Sequence, residues 1–347
     1  MDFIHSELVD PATFDSEGLC EGINLRKHFD TASEAIGALR AQRDWSKTVA
    51  PLKDFHGGLG PRFSFVCLTL PECLPDRLEI VSYANEYAFL YDDVMEHIES
   101  TEHEEATAGL VDVFDENHEK DDFNAPEIGA KQLRQQILTE MMAIDKERAI
   151  ISMKAWLTFI QLASSRDRSE PFRSFEEYLL YRIIDVGEIY WFGAVTFGMA
   201  FTIPDNEMEL CKQLTRPAFA AISLTNDLYS WEKEYKEAQH NGMPHVVNAI
   251  WVLTNELSVS DSKAKEICRV KIKQYVSEYR NILREVGCNE TISTDLKRYV
   301  EALQYSISGH LVWSIYCPRL GYQTSRERSL PRGSQDTCDT DELMYEI

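Results

Sequence analysis

Positive charge is what this 347-residue sequence is short of: 35 Lys and Arg stand against 58 Asp and Glu, a net charge of −23. Such a balance argues against nucleic acid and anionic membranes as partners, since both attract basic surfaces. Also missing is any C-x-x-C pair among the eight cysteines Cys20, Cys67, Cys73, Cys211, Cys268, Cys288, Cys317 and Cys338. The thiols therefore read as reduced, in a cytoplasmic protein. The first residues, Met1 to His5, lack the basic-then-apolar pattern of a signal peptide. Long apolar runs are absent too. The longest, Ile189 to Ile203, is short for a membrane span, is interrupted by threonines and glycines, and reads as a buried helix. His56-Gly57-Gly58-Leu59-Gly60-Pro61 is rich in glycine, but no Gly-Lys-Ser/Thr follows, so it is a loop and not a phosphate loop. His97, His103 and His118 lack metal-ligand spacing, and no internal repeat is evident.

What remains points to a large all-α domain with a sizeable core. Residues 1–30 mix turn formers and polarity and are expected to form an arm with little regular structure. Helices are expected over about 31–49, 75–98, 128–163, 174–203, 206–238, 261–286 and 294–316. Gly287 is expected at C′ of the sixth of these. The acid-crowded stretch 99–127 and the segment 164–171 read as loops, and residues from Gln323 onward as a disordered tail.

Three stretches carry candidate chemistry. In Asn226-Asp227-Leu228-Tyr229-Ser230-Trp231-Glu232-Lys233-Glu234 the residues Asn226, Ser230 and Glu234 are spaced i, i+4, i+8. On a helix they share one face and offer an amide oxygen, a hydroxyl and a carboxylate, the hard ligands that Mg²⁺ takes. Lys233 stands beside them as a cation that could meet a phosphate. Taken alone, the stretch reads as simply as an ordinary polar face with Lys/Glu pairs. In the second, an aromatic helical stretch runs into Asp92, Asp93 and Glu96, where clustered carboxylates are tolerated most simply by a shared cation, or else by solvent. The third centres on Arg182 and Asp185, which can pair three residues apart just before an apolar, aromatic segment.

The first two stretches together resemble the metal motifs of class I terpene cyclases: an aspartate-rich motif, with Glu96 where Asp is usual, and N-D-x-x-S-x-x-K-E, matched at every fixed position by 226–234. The segments Leu59-Gly60-Pro61-Arg62-Phe63-Ser64-Phe65, Ser82-Tyr83-Ala84-Asn85-Glu86 and Val312-Trp313-Ser314-Ile315-Tyr316-Cys317-Pro318-Arg319 are similar to the cyclase half of fungal bifunctional terpene synthases. The resemblance covers roughly residues 1–322. It implies a class I terpenoid synthase helical bundle around a central apolar cavity, with 323–347 as a tail or the start of a linker to a prenyltransferase domain.

It further implies metal ligation by Asp92, Asp93, Glu96, Asn226, Ser230 and Glu234, with three Mg²⁺ ions and the diphosphate. Arg182 would sense the diphosphate, and Asp185 would link it to a backbone carbonyl at a helix break, at Val186 or Gly187. On this reading Arg182→Ala removes most activity and leaves the fold largely intact. Lys233 and Arg319 would bind diphosphate as well. Leu320 replaces the family's usual Tyr after the Arg, and Tyr322 is the substitute candidate. Phe65, Phe89, Trp191 and Trp313 would line the pocket, although core packing is the default reading of any one of them, since aromatics dominate ordinary cores as well. The reaction implied is ionisation of geranylgeranyl diphosphate and cyclisation to a polycyclic, fusicoccane-type hydrocarbon. Geranylfarnesyl diphosphate is the alternative substrate. The partners implied are a prenyl diphosphate and a prenyltransferase domain, with no nucleic acid and no membrane; a homo-oligomer is left open. Two rivals remain: a prenyl-elongating synthase, which would carry a second aspartate-rich motif, and a non-catalytic acidic helical scaffold.

Overall fold

A computed structural model describes residues 3–53, 55–95, 125–163 and 170–320. Among them ten α-helices carry the architecture: α1 (Thr31–Thr48), α2 (Phe65–Thr69), α3 (Pro75–Met95), α4 (Ala125–Ala163), α5 (Phe175–Asp185), α6 (Glu188–Gly198), α7 (Met208–His240), α8 (Ala249–Leu257), α9 (Asp261–Cys288) and α10 (Thr294–Tyr316). The all-α expectation holds. Several helix starts follow from capping side chains that accept an otherwise orphaned amide: Asp30 from Ser33, Ser174 from Glu177, Asn248 from Ile250, Ser260 from Lys263 and Ser293 from Leu296.

Two helices form the centre. The α10 helix is buried at every position from Tyr305 to Ile315, and α7 at every position from Pro217 to Thr225, so neither is amphipathic along these stretches. They pack on each other, with α9 against α7 and α2 against α10. Gly309 permits the last contact, because a Cβ there would lie 2.2 Å from the Leu68 carbonyl oxygen. The α4 helix packs on α6 and carries a kink at Asp145 (φ −152°, ψ 92°), whose carboxylate receives Arg77 at 3.0 Å and Arg148 at 2.8 Å.

Residues 3–30 hold little regular structure. Ser6–Leu8 and Arg26–His28 form a short two-stranded antiparallel hairpin, tied down where the buried Glu72 accepts the amides of Ile4 and His5. The expected C′ role of Gly287 is corrected: α9 runs through it to Cys288, and Asn289 is the C-cap. Glu96, Tyr322 and the tail 323–347 lie outside the described residues. Among the described residues, seven cysteines are free and six of them buried, and no helix is long and apolar enough to cross a membrane.

Candidate active site

The α5 and α6 helices are separated by one residue pair. Val186 caps α5, and Gly187 (φ 92°) turns the chain through the left-handed region that side chains disfavour before α6 begins at Glu188. A helix break therefore stands at the two positions, Val186 and Gly187, where the resemblance implied one. Arg182 lies in the last turn of α5, 9% exposed, with its guanidinium wholly engaged. Its Nε donates to Asp227 Oδ1 at 2.8 Å, Nη1 to Asp185 Oδ2 at 2.5 Å and Nη2 to Asn226 Oδ1 at 2.7 Å. Burial works against this charge, but Asp227 and then Asp185 outweigh it and raise the Arg182 pKa.

Asp227 is the residue that sequence reasoning passed over. One position after Asn226 on α7, it turns about 100° away from the ligand face. There it is fully buried and also accepts Tyr178 Oη–H at 2.5 Å and the Ala249 amide at 3.0 Å. Desolvation raises its pKa, and the Arg182 charge pulls it back. Its fixed place in the matched pattern was the signal available, and spacing does not show what it faces.

On the ligand face, Asn226 Oδ1 has one lone pair beyond the one that Arg182 occupies. Ser230 Oγ is buried without a hydrogen-bond partner. Glu234 Oε2 accepts Asn248 Nδ2 at 2.9 Å. Glu234 is part-buried as a residue, but its carboxyl group reaches inward. Burial there, followed by repulsion from Asp227, raises its pKa; the Ser230 hydroxyl nearby works the other way without a well-formed bond. Lys233 lies 3.8 Å from Glu237 in a part-exposed i, i+4 pair, an arrangement of small energetic weight.

At the end of α3, Asp93 receives Arg319 as a fork, Nη2 to Oδ1 at 2.7 Å and Nη1 to Oδ2 at 2.9 Å, while Asp92 lies 3.8 Å from Nη2 and is 63% exposed. Arg319 also donates to the carbonyl of His56 at 3.1 Å, and its guanidinium stands 4.7 Å over the Phe89 ring. Leu320 is buried in the core.

Phe65, Phe89, Trp191 and Trp313 form one wall. The Phe65 ring lies 4.9 Å from Trp313, 5.4 Å from Phe89 and 5.5 Å from Trp191, each contact nearly perpendicular, and Phe89 stacks on Trp313 at 5.7 Å. The indole N–H groups are satisfied, Trp191 by Ser306 Oγ and Trp313 by the Gly58 carbonyl, both at 2.9 Å. Along the chain, Phe89 is one turn before Asp92 and Asp93, and Trp191 lies just past the break after Arg182.

Two buried acids, given no role by the sequence, hold the Phe65 segment. Glu34 accepts the amides of Val66 at 2.6 Å and Cys67 at 3.0 Å, capping α2 from outside. Glu86 accepts the Gly58 amide at 2.8 Å and Gln42 Nε2 at 2.6 Å. Burial pushes the Glu34 carboxyl up to about 7 and raises Glu86 as well. A charge stranded in an apolar helical stretch was the available sign for Glu86.

Among the described residues no set of three or more carboxylate, imidazole or thiolate ligands is gathered. The donors on α7 nevertheless fit a hard divalent cation in chemistry, with oxygens of three kinds on one face and one of them, Ser230 Oγ, an enclosed acceptor without a partner.

Residues 83–278 match the family model described as terpene synthase family 2, C-terminal metal binding. The sequence is 46% identical over 325 residues to fusicoccadiene synthase of Phomopsis amygdali, covering 92% of this chain and 45% of that protein. It is 40% identical over 319 residues to a bifunctional sesterterpene synthase of Aspergillus aculeatus, covering 92% and 45%. The chain thus spans less than half the length of these curated relatives. In fold it is similar to the crystal structure of aristolochene synthase from Penicillium roqueforti, with a TM-score of 0.60 and 24% identity, covering 72% of this chain and 82% of that one.

Proposed function

The chain belongs to the terpene synthase family, and from that premise we propose that it is a Mg²⁺-dependent class I cyclase that ionises geranylgeranyl diphosphate and closes the resulting allylic cation into a polycyclic, fusicoccane-type hydrocarbon. The observation that carries the reading is the meeting of Arg182 and Asn226 at the break between α5 and α6, beside the aromatic wall. An amide oxygen that accepts from a buried guanidinium while keeping a second lone pair is suited to take a metal cation beside Arg182.

Asn226, Ser230 and Glu234 would hold metal from α7, and Asp92, Asp93 and Glu96 from the end of α3. Mg²⁺ held there, three ions on this reading, would supply positive charge against the negative charge of the leaving diphosphate. Arg182 donates charge-assisted hydrogen bonds to the same oxygens. Its bond to Asp227 is the buried anchor, and Asp185 and Asn226 are the partners that diphosphate would displace. Arg319 would exchange the Asp93 fork for diphosphate, which frees the aspartate as a ligand. Lys233 and Tyr322 complete the anion site. The wall of Phe65, Phe89, Trp191 and Trp313 excludes water and presents ring faces to the cation, each stabilising it by about 0.5–2 kcal/mol.

The C25 substrate geranylfarnesyl diphosphate is the second reading, favoured by the sesterterpene synthase among the relatives at 40% identity. A prenyltransferase domain in a longer chain would supply either substrate, in the cytoplasm. Incubation with Mg²⁺ and the C15, C20 and C25 diphosphates, with product and diphosphate analysis, tests the reading. A cyclic hydrocarbon from the C20 substrate supports it, and a cyclic product from C25 alone selects the alternative. Neither product nor diphosphate release from any of the three would refute the enzyme reading in favour of a scaffold.

A further inference from the structure

We propose that His310 is the base that ends the reaction, taking a proton from the carbon next to the cationic centre. The proposal rests on the cyclase reading and adds to it a residue that the metal and diphosphate motifs do not include.

His310 stands on α10 three residues before Trp313 and four after Ser306, so the three share one helix face. Its ring lies 6.2 Å from Phe65 at 89° and 6.0 Å from Trp313 at 42°. It is therefore part of the wall described above, and it is 5% exposed. The other polar atoms of that wall are committed. Trp191 Nε1 donates to Ser306 Oγ, Ser306 Oγ donates to the Thr69 carbonyl at 2.8 Å, and Trp313 Nε1 donates to the Gly58 carbonyl. His310 Nδ1 is enclosed and has no hydrogen-bond partner. Leaving a buried polar atom unpaired is costly, and an apolar residue of the same shape would avoid that cost. An imidazole kept at that cost beside aromatic faces that favour cations is suited to chemistry more than to packing.

The step balances without another reactant. The C–H bond adjacent to the cationic carbon breaks, and its electron pair becomes the π bond of the product. The proton goes to the imidazole lone pair, so that a cation and a neutral ring become a neutral hydrocarbon and an imidazolium. The imidazolium then passes its proton to the released diphosphate. Burial, followed by the Arg182 charge, pulls the imidazole pKa down to about 3. The ring is thus neutral before ionisation, does not repel the cation, and gives up its proton readily afterwards. A carbocation is acidic enough for such a weak base to suffice.

The test compares the parent with His310→Phe, which keeps an aromatic ring, and His310→Gln, which keeps polarity without a basic nitrogen. Each is incubated with Mg²⁺ and the C20 or C25 diphosphate that the parent turns over. Removing an unpaired polar atom should not unfold the chain, and thermal melting checks this for both variants. Expected is release of diphosphate within about threefold of the parent, with the share of the parent's main hydrocarbon falling at least fivefold. The balance should appear as water-captured alcohols or olefins deprotonated elsewhere. The proposal is overturned if either folded variant keeps the parent's product share, which would leave diphosphate as the base. It is overturned equally if diphosphate release falls in step with product, or if both variants fail to fold, since either outcome makes the residue structural. A parent that releases no diphosphate refutes the cyclase reading itself, which is a separate result.

Discussion

Replacing Arg182 by Ala takes away one half of a buried ion pair. Asp227 is fully buried and the Arg182 side chain is 11% exposed, so solvent screens the pair little. Breaking such a pair by deleting one member costs about 3–5 kcal/mol, because the other charge is left uncompensated. At about 2.1 cal/mol/K per residue the 347-residue chain has an unfolding entropy of about 0.7 kcal/mol/K, so the expected fall in Tm is about 4–7 °C. Tyr178 and the Ala249 amide still donate to Asp227, and its pKa is already raised by burial. Proton uptake by Asp227 therefore relieves part of the cost in acid, and the drop should be larger at pH 8 than at pH 5. Differential scanning fluorimetry of the parent, Arg182→Ala and Arg182→Ala/Asp227→Asn at both pH values checks this. The double variant should recover at least half of the loss at pH 8. If Arg182→Ala melted within about 1 °C of the parent, or the double variant melted no higher than the single, the ion pair would not be holding α5 to α7. A fall of that size leaves the variant folded but less stable than the parent. Any loss of turnover in the variant has to be measured below its own melting range.

Other expected outcomes concern the ligand face and the buried acids. Ser230→Ala removes a hydroxyl without a partner, so Tm without metal should stay within about 1 °C or rise. The extra stabilisation by Mg²⁺ with diphosphate should shrink, and an unchanged Mg²⁺ dependence would remove Ser230 from the site. Glu234→Gln keeps the shape of the side chain and removes the charge. It should raise the Mg²⁺ concentration at half-maximal activity at least tenfold, and an unchanged titration would count against the whole α7 face. The Glu34 carboxyl, pushed up to about 7 from 4.5, contributes stability that is complete below about pH 4.5 and lost as pH rises through 7. Between pH 5 and 8 the stability difference between parent and Glu34→Gln should shift by about 2.5 kcal/mol in favour of the variant, and parallel denaturant-midpoint curves across that range would refute the shift.

The sequence alone determined the helical class and most helix positions, because apolar spacing and capping residues such as Asp30, Ser174 and Ser293 act within a few residues of themselves. It also determined that Asn226, Ser230 and Glu234 share one face of α7, since their i, i+4, i+8 spacing is a property of one helix. Tertiary structure decided what those residues meet. Asp227 has its place because α5 and α8 bring Arg182, Tyr178 and the Ala249 amide to it from 45, 49 and 22 positions away. The aromatic wall is assembled from α2, α3, α6 and α10, so no local pattern could separate Phe65 or His310 from ordinary core residues. The N-terminal hairpin was hidden for the same reason. Its two strands are short, and they persist because Glu72, a residue far along the chain, accepts the amides of Ile4 and His5. Local periodicity records which way a side chain points, and only the packed chain decides what stands opposite it.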